Sequence, residues 1–161
     1  MSEKSSGTRR SVRYSTLSDI VQDAEQLLCS HHTVGNWTFG QICQHLAKTM
    51  NCAFDGFGFT APWFARWFIA PFMKNSLLIK PMRSGFKLPE RGKAILPDEN
   101  VSNEVGLQQL KTAVERFSHE VPTAPHPFFG QLASEEVVQL QLRHAEMHMS
   151  FIVPNSNGQS K

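Results

Sequence analysis

Four stretches of this chain repeat their apolar residues at the period of an α-helix, and no stretch of weight alternates as a strand does. The first, from about residue 17 to 30, carries Leu17, Ile20, Val21, Ala24, Leu27 and Leu28 on one side. The second, from about 39 to 57, carries Phe39, Ile42, Cys43, Leu46, Met50, Ala53, Phe54 and Phe57. The third runs from about 102 to 120 and turns Val105, Leu110, Ala113, Val114 and Phe117 inward, with Gly106 weakening its start. The fourth runs from about 134 to 153 and stops before Pro154. Start signals agree with these limits. Thr16 with Asp19 and Thr38 with Gln41 have capping-box spacing, and Ser134 is an N-cap candidate followed by Glu135 and Glu136.

A chain of 161 residues with 40% hydrophobic content can bury one core and is short for two. The expected architecture is all-α: a four-helix bundle with a long irregular crossover between helices 2 and 3. That crossover, residues 58–98, holds Pro62, Pro71, Pro81, Pro89 and Pro97 with Gly85 and Gly92. The bundle is expected over residues 13–153, with tails at 1–12 and 154–161.

Charge and cysteine use narrow the function classes. Sixteen Lys and Arg against fourteen Asp and Glu leave a net charge of +2, which demands no nucleic-acid partner. Arg9, Arg10 and Arg13 beside a Ser-rich start read as a solvated tail. Cys29, Cys43 and Cys52 are too few for a disulfide framework and read as small buried apolar residues. With no leading apolar run, the cytoplasm is the expected location. The stretch APWFARWFIAPFMKNSLLI, residues 61–79, approaches membrane-spanning length. Arg66 and Lys74 lie inside it and Pro62 and Pro71 interrupt it, so no stable membrane insertion is expected. The reading is a short helix and an apolar loop packed over the domain.

The fourth stretch contains LRHAEMHM, with His144 and His148 four residues apart. On a helix they lie about 40° apart in rotation and about 6 Å apart along the axis, so both project toward one face. Such a pair can present two nitrogens to one metal ion, and His45, at the edge of the second helix's apolar face, is a candidate third. Three neutral imidazoles make a site of the catalytic type, with a coordination position left for water or substrate. The alternative is three independently satisfied histidines, and spacing does not choose between them.

Three motifs in order carry a resemblance: NWTFGQICQHLA, with its W-x-x-x-Q-x-x-x-H-L spacing, then HPFFG, then RHAEMHM. Together they resemble the DinB-like (YfiT-like) metalloenzyme superfamily, and within it a branch of uncharacterised bacterial domains with an HPFFG loop. The resemblance spans about residues 13–151. It implies an up-down-down-up bundle and a divalent metal, Zn or Ni first, on His45, His144 and His148. Relatives in the wider superfamily include transferases that use low-molecular-weight thiols, so the resemblance points to a small-molecule substrate, with such a thiol as co-substrate, and to transferase or hydrolase chemistry. The chain departs from the branch at Met147, where a further histidine is common, and at Met149-Ser150-Phe151, where an Arg-Gln pair is common. The other reading is a non-catalytic ligand-binding or stress-associated bundle, and a homodimer is compatible with either.

Other residues have two readings each. Gln41 is a partner of the His45 ring or only a cap. His126 lines the site or braces its turn. Trp63 and Trp67, with Phe68, roof a cavity or pack. Glu146, offset by two from His144, is expected in solvent, and His31 and His32 follow the first helix near its C-terminal end.

Overall fold

The structure is a computed structural model and describes residues 8–85 and 90–155. Most of both expected tails, residues 1–7 and 156–161, lies outside the described residues. The chain runs through α1 (Leu17–Leu28), β1 (His31–Thr33), α2 (Phe39–Asp55), a π-helical turn (Ala65–Ile69) leading into α3 (Ala70–Ile79), a 3-10 turn (Glu90–Ile95), α4 (Asn103–His119), α5 (Ser134–Met149) and β2 (Ile152–Pro154). The protein is mostly helical, as the periodicity predicts, with a small two-stranded sheet added.

The main core is built from α1, α2, α4 and α5. It includes Ile20, Phe39, Leu46, Met50, Leu110, Leu142 and Met149, all essentially out of solvent. The expected capping boxes close α1 at Thr16 and α2 at Thr38. α2 packs most extensively on α4, and two glycines set how closely. A Cβ on Gly106 would lie 2.2 Å from the Gly40 carbonyl oxygen, and one on Gly40 would lie 2.4 Å from that of Ser102. Gly106 therefore gives up helix propensity for a backbone-to-backbone crossing that no larger residue permits.

Several expectations are corrected. The crossover contains the short helix expected there, but it runs on to Ile79 because Pro71 does not break it. Ala70 donates to Ala65 across the wider π turn, which brings Pro71 into the first turn of α3, where its missing N–H costs nothing. α5 begins after Ala133 as N-cap, with Ser134 inside the helix; the Glu136 carboxylate accepts the Ala133 N–H at 3.1 Å. It also ends earlier than periodicity suggests, because Ile152–Pro154 pairs antiparallel with His31–Thr33, His32 opposite Val153. Three-residue strands are too short to show alternation. Cys29 is exposed, and only Cys43 is fully buried.

The N-terminal arginines do not run free of the domain, although Arg9 and Arg13 remain exposed. Arg9 donates to the Ser150 hydroxyl at 2.8 and 3.0 Å and lies over the Phe151 ring at 4.2 Å. Arg10 pairs with Asp23, which also accepts the Tyr14 hydroxyl, and Arg13 donates to the Ile79 carbonyl at 3.3 Å. The segment lies along α5 and buries Glu146, which is 5% exposed rather than solvated. Its carboxylate accepts the Tyr14 N–H at 2.8 Å and pairs at 3.0 Å with Arg143, itself 2% exposed.

Candidate metal centre

α2 and α5 pack against each other in the core, α2 carrying one imidazole and α5 two. The structure brings His45, His144 and His148 together: one ring nitrogen from each lies within 4.8 Å of the others. Ring centroids are 4.6 Å apart for His144–His148 and His45–His148, and 5.2 Å for His45–His144. Separations of this size close to metal–ligand geometry by small side-chain adjustments.

Partners decide which nitrogen each ring offers. The Nδ1–H of His45 donates to the Ile95 carbonyl at 2.7 Å, which puts its lone pair on Nε2. A backbone carbonyl on the outer nitrogen is how metal-ligating histidines are commonly oriented. The His144 Nδ1 sits 3.5 Å from the Thr49 hydroxyl, one turn after His45 on α2; that hydroxyl donates to Leu46, leaving its lone pairs free to accept. Trp37 covers two of the rings, stacked on His148 at 5.4 Å and tilted against His45 at 4.9 Å.

Burial keeps all three rings neutral. It is the main cause pushing His144 down to about 3, with the His45 and His126 charges adding to it. His148 is pushed lower still by burial and then by His144, His45 and Arg9. His45 is lowered by burial, partly offset by its bond to Ile95. A neutral imidazole is the form that binds a metal, so the donor set and its charge state fit a divalent cation.

The remaining candidates take other positions. Gln41 accepts the Thr38 N–H at 2.9 Å and donates to the Asp98 carbonyl at 3.2 Å, tying the start of α2 to the crossover. His126 braces its loop: its Nδ1 accepts the Phe128 and Phe129 N–H groups at 3.2 Å, and its ring stacks on Phe129. Burial lowers it to about 4. Trp63 and Trp67 stand on the surface, 69% and 76% exposed, instead of packing over the domain. His31 holds the Leu27 carbonyl at the end of α1, and His32 meets the Asn155 side chain. A groove of about 430 Å³ lined by Gln44, Lys48, Asp98 and Gln108 contains none of the three imidazoles.

The sequence reading missed three contributors: Trp37, Thr49 and the Ile95 carbonyl. Trp37 left a signal as the tryptophan that opens the W-x-x-x-Q-x-x-x-H-L spacing, and Thr49 as the residue one turn beyond His45. Nothing in the crossover marks Ile95.

Residues 6–155 match the model of a family described as "Protein of unknown function (DUF1569)". The chain belongs to that family. The match takes in every element of this DUF1569 chain and all three clustered histidines. No curated protein and no solved structure matches it. Among the described residues, no helix of this DUF1569 chain is long and apolar enough to cross a membrane.

Proposed function

We propose that this protein is a divalent-metal protein of the DinB-like superfamily, with His45, His144 and His148 as ligands on an up-down-down-up bundle of α1, α2, α4 and α5. The observation that carries the reading is the convergence of three neutral imidazoles within 4.8 Å, one of them oriented through Nδ1 by the Ile95 carbonyl. Zn and Ni suit an all-imidazole set best. A bound metal of this kind supplies Lewis acidity and stabilises a thiolate or hydroxide at its open position. The chain's own residues do the rest. Ile95 and Thr49 set ring orientation, Trp37 limits solvent, and partly exposed His144 and His148 leave the approach for a small substrate. The activity this supports is transfer of a low-molecular-weight thiol, or hydrolysis, in the cytoplasm.

The test is elemental mass spectrometry of untagged protein beside His45→Ala and His144→Ala. About one metal per chain, lost in both variants that still fold, is the expected result. No metal after incubation with Zn, Ni and Mn sinks the reading. A second reading, a metal held for structure only, is favoured by the stacking of Trp37 on His148. Cobalt substitution separates the two: a visible spectrum that shifts on adding a small thiol supports the open site, and an unresponsive four-coordinate spectrum supports the closed one.

A further inference from the structure

The described residues leave few large apolar side chains exposed, and almost all lie between 63 and 79. Trp63, Phe64, Trp67, Phe68, Phe72 and Ile79 are each 51–84% exposed, while elsewhere among the described residues only Val105 and Val121 are exposed to half or more. The opposite side of the same segment is accounted for. Ala65 and Ala70 are buried, and Leu77 and Leu78 pack on a small apolar cluster of Ala53, Leu132, Val137 and Leu140. The aromatics are thus an outward face, in i, i+4 rows at 63–67 and 64–68–72, held firmly from behind. A patch of this size on a small domain marks a contact surface.

Charge says which kind. Residues 56–89 contain no Asp or Glu and five cations, Arg66, Lys74, Lys80, Arg83 and Lys87, in a chain whose overall charge is only +2. Arg66, Lys80 and Arg83 are exposed, and Lys74 pairs with Glu136 of α5. A twofold self-contact would set this surface against itself, cation against cation, with no acid in the segment to answer them. Tryptophan and phenylalanine rimmed by Lys and Arg suit instead the headgroup layer of an anionic bilayer, rings at the acyl boundary and cations at the phosphates.

We infer that the 63–79 segment is a peripheral membrane anchor that docks the protein on anionic phospholipid. The inference goes beyond the metal-site reading and does not depend on it.

The test is flotation of the full chain with phosphatidylcholine vesicles and with phosphatidylcholine–phosphatidylglycerol vesicles, at low and high salt. The expected result is binding to the anionic vesicles only, released by salt. Arg66→Glu with Lys80→Glu should lower the partition coefficient by about fivefold or more per site, and Trp67→Ser with Phe72→Ser by about tenfold or more. Helical circular dichroism and melting stay at wild-type values, since all four side chains are exposed. No flotation with anionic vesicles at low salt overturns the inference, as does undiminished flotation of the aromatic variant. So does a stable dimer in sedimentation that Trp67→Ser with Phe72→Ser dissociates, since a second copy then covers the face.

Discussion

Phe39 and Phe72 are the same side chain in opposite settings. Phe39, at the start of α2, is 1% exposed in the main core; Phe72, in the first turn of α3, is 84% exposed. Their neighbourhoods differ the same way. Around α2 and α5 the interior admits His45, Thr49, Arg143 and Glu146, each with a partner, while segment 63–79 turns its aromatics to solvent. Burial does not follow residue type alone: His45 goes inside where the Ile95 carbonyl meets its ring, and Arg143 goes inside with Nη2 paired while Nε and Nη1 find no partner.

The contrast can be broken by substitution. Phe39→Ala should cost about 4 kcal/mol in denaturant unfolding, through lost burial and the cavity left behind. Glu146→Ala should cost about 3–4 kcal/mol, because it strands Arg143 inside; adding Arg143→Met should recover part of that loss. If the single and double variants lose equal stability, the pair is not what holds the N-terminal segment down.

Acid tests the buried polar groups together. In metal-free protein, burial holds His126 at about 4 and His144 at about 3, while the unfolded chain takes up those protons near the ordinary histidine value of about 6.5. Below about 6.5 the unfolded state binds more protons, so stability is full above that pH and falls as pH drops toward 4. From His126 and His144 alone, a loss of about 4 kcal/mol between about pH 7 and about pH 5 is expected from urea midpoints, and His148 adds to it in the same direction. A flat profile would mean that the rings are solvated.

Gly106→Ala should cost about 2–3 kcal/mol, since its Cβ meets backbone and no flexible side chain can yield. The smallest effect expected is that of Phe72→Ala, within about 0.5 kcal/mol of wild type. A loss near that of Phe39→Ala would show the segment to be packed and erase the comparison.

How much of this was legible in the sequence depends on where the information sits. Helices α1, α2, α4 and α5 follow from period and caps, because an amphipathic face is a local property. His144 and His148 share a face for the same reason, and His45 was a candidate from its place on the second helix before the resemblance pointed to it as well. Glu146 was misread because its offset within α5 says nothing of the N-terminal segment laid over it. The exposure of Trp63 and Trp67 was misread for a related reason: composition shows how apolar a segment is, not whether the rest of the molecule reaches it. The short strands and the Ile95 carbonyl are tertiary facts with no local mark.

The clasp between the two ends of the chain bears on the order of folding. Arg9 reaches Ser150 across 141 residues, and His32 reaches Asn155 across 123. Closing a loop of that length costs about 4 kcal/mol of chain entropy before any contact repays it. The helices and the α2–α4 crossing, whose contacts are nearer in sequence, therefore form the nucleus, and the clasp zips up on a nearly finished domain. In pulse-labelled hydrogen exchange during refolding, the amides of Arg10 and Val34, which bond to Ser150 and Phe151, should be among the last to become protected.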